Sequence, residues 1–234
     1  MAVCNADYRF VWVDIGQFGS LSDCSIWNNC DFSRMLDEGE VELPPPKCLP
    51  FTNILTQHTF VGDEAFPLML YMMRPYSKRQ LGDAVRVFNY HLSRARRVIE
   101  NAFGILVSRW QILSKTICAS PRSATLYVSA LVCLHNFLLT EQLQAYHQPK
   151  AHVYCPAELV DREDENHDFV NGFWRNETGT GVLHDITRLG SNNSTKSAQI
   201  MRDLLRDYFI SLVGEEQAPW QYRAAFRCSN KCFQ

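Results

Sequence analysis

Two acidic residues in this 234-residue chain stand where oxygen chemistry is possible. Asp63 follows HTFVG at 58–62, a β-rich run that predicts a short strand ending in glycine. Strand C-termini are where α/β folds present ligand groups. Glu100 lies in SRARRVIENAFG, inside a helix expected from about Asp83 to Leu113. Val98, Ile99, Ala102 and Phe103 flank it, so the carboxylate falls at the edge of an apolar stripe and faces the domain. Carboxylates from a strand end and a helix suit a hard divalent cation, Mg²⁺ or Mn²⁺. Two such ions, roughly 3.5–4 Å apart, are a general device for phosphodiester cleavage. The plainer alternative is a pair within the helix, Glu100 with Arg96 or Arg97, of about 0.3–0.5 kcal/mol. Spacing alone favours that pair.

The helix that carries Glu100 is locally basic. Residues 82–115 hold six bases against two acids, and Arg94, Arg96 and Arg97 cluster beside the glutamate. Arginines there would hold a phosphate backbone, or simply form a solvated helix face. The chain as a whole carries a net charge of −2, so any nucleic-acid surface must be local.

Other elements must position these groups. RFVWVDI at 9–15 alternates and predicts a strand, with Phe10, Trp12 and Asp14 on one face. Ser22 or Asp23 caps a short helix expected to reach about Glu38. LPPPKCLP is a rigid connector, and PLMLYMMRP, between Pro67 and Pro75, predicts one or two helical turns. A second long helix starts after Ser120–Pro121. Residues 158–168 hold six acids and one base, which predicts a solvated linker. A last amphipathic helix is expected from about Thr195 to Val213, followed by an aromatic end without clear periodicity. This gives three regions: 1–145 a first domain, 146–194 an acidic linker, and 195–234 a C-terminal helix and tail. Strands near the N-terminus followed by helices predict a mixed α/β layer fold.

Composition excludes several classes. Hydrophobic residues make up 46% and charged residues 21%, an ordinary globular balance. No stretch approaches the roughly 18 apolar residues of a membrane span, and the start lacks a signal-peptide pattern. The nine cysteines are scattered without C-x-x-C pairs and read as buried free thiols rather than a zinc site. Cys228 and Cys232 have no second pair of ligands. His135, in VCLHNFL, reads as a satisfied core histidine, and no serine sits in a nucleophile elbow.

The strings VDIGQFGSLSD, GDEAFPL, MRPY, FNYHLSRARRVIENAFGIL and VCLHNFL, in that order, resemble the Harbinger-type transposase-derived nucleases. The resemblance covers about 2–140 and runs more loosely through GFWR at 172–175 and PWQ at 219–221. It implies a ribonuclease-H-like DDE fold, a divalent-metal site and double-stranded DNA as substrate. It implies that Asp63 is the second catalytic carboxylate and Glu100 the third. The first is expected upstream of AVCNADYRF, on a strand this sequence does not contain. The fold is therefore expected to be incomplete, with a helical C-terminal extension, and hydrolysis to be impaired. Asp14 and Asp23 also match acids of the family pattern; Asp23 reads as a helix cap. The expected activity is a metal-dependent DNA endonuclease in the nucleus, with a cytoplasmic pool. The expected partners are DNA and a separate DNA-binding protein, with no membrane. The alternative is a domesticated, non-catalytic DNA- or chromatin-associated protein.

Overall fold

A computed structural model describes residues 1–77, 82–144, 153–177 and 194–227. Cys228, Cys232 and parts of the expected 146–194 linker lie outside these. The chain forms two compact units, one within Met1–Gly19 and Arg97–Ile186, the other within Ser20–Arg96 and Thr187–Gln234. Both draw on early and late chain, so they do not coincide with the three expected regions.

In the first unit, β1 (Ala2–Cys4) pairs antiparallel with β2 (Phe10–Val13), and the register slips between Val3 and Cys4. The strand expected at 9–15 is thus present and shorter. The turn between the strands places Tyr8 in the left-handed region at φ 64°. The Asn5 side chain stabilises this turn by accepting from the Asp7 and Arg9 amides. The other edge of β2 meets a side chain rather than a strand. Asn136 accepts from the Phe10 amide at 2.9 Å and donates to its carbonyl at 2.8 Å. Asn136 lies on α4 (Pro121–Gln144), whose start is capped by Ser120 Oγ accepting from the Ser123 amide. Phe10, Ala102, Leu106 and Val132 form one apolar cluster. Ile105, Leu139, Tyr154, Leu159, Val160 and Trp174 form another.

Of the helix α3 (Asp83–Arg109), residues up to Arg96 belong to the second unit and those from Arg97 to the first. It ends four residues earlier than expected, because Trp110 leaves the helical region and a 3₁₀ turn, Gln111–Ser114, follows. α4 buries Val132, His135 and Leu139 while leaving Leu126, Tyr127, Leu134 and Phe137 exposed. Among the described residues it is the one helix long and apolar enough to cross a membrane by length and composition. Its uninterrupted apolar runs are short, because Ser, His, Asn and Thr intersperse α4, so no such stretch is expected from the sequence.

The expected acidic linker is a correction. Leu159, Val160 and Asp161 are buried. β7 (Arg162–Glu163) and β8 (Phe169–Val170) form an antiparallel hairpin, followed by the single turn α5 (Trp174–Glu177). The acids concentrate in the hairpin loop, where Asp164 accepts from the Asn166 and Asp168 amides. A charge count across the window hides the apolar anchor just before it.

In the second unit, the single helix expected to Glu38 is two, α1 (Asp23–Asn29) and α2 (Asp31–Asp37). They break at Cys30, whose Sγ accepts from the Ser33 amide and so caps α2. The connector holds a small antiparallel pair, β3 (Lys47–Cys48) and β4 (Leu55–Thr56). β5 (Phe60–Val61) pairs in parallel with β6 (Met72–Met73). The segment between Pro67 and Pro75 is therefore a tight turn at Leu70–Tyr71 between short extended pieces, not a helix: the prolines leave too little chain for a stable one. α6 (Lys196–Phe209) is capped by Thr195, and Thr195 N also donates to Leu68 O. α7 (Leu212–Gln217) and α8 (Gln221–Arg227) follow, the latter where no periodicity was evident. The core joins Leu68, Met73, Tyr76, Phe88, Leu92, Ala198 and Met201.

The class is mixed α/β as expected. Among the described residues every sheet is two-stranded. Described cysteines are free thiols, yet of these only Cys30 is fully buried, while Cys48, Cys118 and Cys133 are exposed.

Candidate active-site carboxylates

Asp63 belongs to the second unit and follows β5 directly. Gly62 before it is packed so closely that a Cβ would sit 2.8 Å from the Phe66 ring. Asp63 Oδ1 accepts from the Ala65 amide at 2.8 Å, which fixes the side chain in the turn. Its Oδ2 faces Arg96 Nη2 at 3.7 Å. Asp23 lies in the same unit. It is not the cap of α1: Ser22 is, accepting from the Ser25 amide. The Asp23 carboxyl is instead raised in pKa by loss of hydration and then by the nearby negative Asp63. The charge of Asp63 thus reaches Asp23, and the family string GSLSD was its only signal in the sequence.

Glu100 belongs to the first unit. Its partner is neither Arg96 nor Arg97 but Arg175, with Nη2 3.2 Å from Oε2. Arg175 is itself anchored elsewhere. Its Nε lies 2.9 Å from Asp161 Oδ1 and its Nη2 2.5 Å from Oδ2. The Asp161 side chain is completely buried and also accepts from the Gly172 amide at 2.8 Å. Arg175 further lies over the Trp174 ring, 4.4 Å from its centroid. Hydrogen bonds with Asp161 raise the guanidinium pKa against the opposing effect of burial.

One face of α3 carries this arrangement. Arg97, Glu100, Asn101 and Gly104 recur at helical spacing, and the 158–177 segment meets all four. Arg97 pairs with Glu163 at 3.6 Å and lies over Phe169. Asn101 donates to the Asp161 carbonyl and accepts from both the Asp161 amide and Trp174 Nε1. Gly104 lets the Trp174 ring approach the helix. Sequence reading missed Asp161, Trp174 and Arg175, although GFWR set aromatic and basic residues after an acidic run.

The three arginines expected to hold phosphate each have a protein partner: Asp63 for Arg96, Glu163 for Arg97, and the Trp220 ring, 5.8 Å away, for Arg94. Asp14 is occupied locally, accepting from Gln17 Nε2 at 2.9 Å. The oxygen donors have the right chemistry for Mg²⁺ or Mn²⁺. Among the described residues no three His, Cys, Asp or Glu side chains gather as a metal-holding group.

His135 is the core residue expected of it, fully buried. Its Nε2–H donates to the Tyr8 carbonyl at 2.9 Å, which leaves Nδ1 to accept from the Tyr154 hydroxyl at 2.9 Å. Burial lowers its pKa, partly opposed by the Tyr8 bond. The unfolded chain therefore binds the proton more readily than the folded one. Stability from this group is full above the ordinary histidine pKa, about 6.5, and falls as pH drops through and below it. Urea unfolding between pH 7.5 and pH 5 is expected to show that decline, and His135→Gln to flatten it. An equal slope in both proteins would contradict the assignment.

The family described as DDE superfamily endonuclease matches residues 1–136. Protein ALP1-like from Arabidopsis thaliana is 27% identical over 139 residues. That alignment spans 59% of this chain but 34% of the relative, so the chain covers about a third of the length of the curated protein it matches. No solved structure matches. The matched region holds both GDEAFPL and SRARRVIENAFGIL and covers more than half the sequence. The protein belongs to the DDE superfamily endonuclease family.

Proposed function

We propose that this chain carries two ligands, Asp63 and Glu100, of a divalent-metal-dependent endonuclease acting on double-stranded DNA. The observation that supports it is the family match over 1–136, which includes both acids on a strand end and a helix, as the resemblance implies. When bound, Mg²⁺ or Mn²⁺ would polarise the phosphodiester and activate its nucleophile. In this reading the chain's own residues Asp63 and Glu100 would each offer a carboxylate to the ion. A ribonuclease-H-like core belongs to the same proposal, as do action in the nucleus with a cytoplasmic pool and a separate DNA-binding protein for sequence recognition.

A specific observation favours a second reading. In it Asp63 and Glu100 act as the ion-pair partners of Arg96 and Arg175. The second reading is a non-cleaving DNA- or chromatin-associated protein on the same scaffold. Nicking of supercoiled DNA under Mn²⁺ titration, with parallel Mn²⁺ calorimetry, separates them. The nuclease reading expects cleavage reduced at least about 100-fold in Glu100→Gln and Asp63→Asn. DNA binding without cleavage or Mn²⁺ binding would leave only the second.

A further inference from the structure

We propose that α4 pairs antiparallel with α4 of a second copy of this chain. The exposed residues Arg122, Leu126, Ala130, Cys133, Phe137 and Glu141 recur at intervals of 4, 4, 3, 4 and 4. They form one stripe on the helix. Leu126 is 60% exposed and Phe137 59%, with Tyr127 and Leu134 beside them at 47% each. No charged residue lies between Arg122 and Glu141.

The intervals read the same from either end. Two such helices, related by a twofold axis between residues 131 and 132, bring Leu126 against Phe137 of the second copy and Ala130 against its Cys133. At the ends Arg122 meets Glu141 of the second copy, and the pair occurs twice. The stripe is about 28 Å long at the ~1.5 Å rise of a helix. Ala130 and Cys133 are small, so the axes can approach to about 8 Å at the crossing. A parallel pair would instead set Arg122 against Arg122.

Charge complementarity and the symmetric spacing select a second copy. An unrelated apolar partner requires neither. A membrane fits poorly, because α4 is apolar to solvent along one stripe only. Its other side is committed to protein through buried Val132 and Leu139 and through the hydrogen bonds of His135 and Asn136. A twofold, self-complementary contact is also the commonest form of oligomer. The proposal does not depend on the metal reading.

Sedimentation equilibrium of the full chain tests it. The mass is expected to rise with concentration toward twice that of the monomer. Glu141→Arg turns both end pairs repulsive and is expected to weaken the dimer about tenfold. Arg122→Glu combined with Glu141→Arg exchanges the charges and is expected to return the affinity to within about twofold of the parent. These end residues are exposed, so unchanged circular dichroism melting checks that each variant folds. A monomer at all concentrations, indifference to Glu141→Arg, or failure of the double exchange to rescue would overturn the proposal. Flotation of a monomer with phosphatidylcholine vesicles would overturn it in favour of a lipid surface.

Discussion

Arg175→Met is expected to destabilise the first unit by about 3 kcal/mol, measured by urea unfolding. The reason is Asp161 rather than Arg175 itself. Asp161 has no exposed side-chain surface and loses the one charged partner it has among the described residues, keeping the Gly172 amide. Breaking a buried pair on one side costs about 3–5 kcal/mol, because a carboxylate is left dry and uncompensated. Arg175 is 34% exposed, so water reaching the vacated place moves the value to the lower end. Its contact with Glu100 adds little, since both groups are partly solvated. The double change Arg175→Met with Asp161→Asn is therefore expected to be less damaging than Arg175→Met alone. If the single variant lost under about 1 kcal/mol, Asp161 would not depend on Arg175 as described.

Gly104→Ala is the second large effect, and here two physical terms oppose each other. Alanine in a helix interior is favoured over glycine by about 1 kcal/mol. A Cβ at 104, however, would sit 2.3 Å from Trp174 Cδ2 and 2.5 Å from its Cγ. These atoms are at the root of a buried indole that also bonds Asn101, so the ring cannot swing aside alone. Displacing it forfeits much of a tryptophan's burial, about 3–5 kcal/mol when the side chain is lost entirely. The clash wins, and a net loss of about 2 kcal/mol is expected, again by urea unfolding. Tryptophan fluorescence should shift to the red at the same time. Stabilisation by alanine would show that Trp174 does not lie against α3.

The parts of the site that were legible in the sequence are those set by neighbours along the chain. Asp63 after a β-rich run and Glu100 in a periodic helix needed only local pattern, and both elements are where that pattern put them. The partners were not legible. Glu100 meets an arginine 75 positions away, although two arginines lie within four residues of it on its own helix. Spacing ranks the near ones first, but Arg96 is taken by Asp63 and Arg97 by Glu163. Asp23 was read as a cap because aspartate and serine are nearly equivalent there. Ser22 holds the role, and the acid is left within reach of the charge of Asp63. The 158–168 stretch misled because its average charge outweighs two apolar residues, Leu159 and Val160, which fix the whole segment.

The bond between Asn136 and the Phe10 backbone joins residues 126 positions apart. During synthesis the first strands leave the ribosome long before the side chain that completes their edge exists. Closing so long a loop is slow, and the open strand is a template for wrong pairing in the meantime. The hairpin of β1 and β2 is thus an early product whose edge is completed only by a later one.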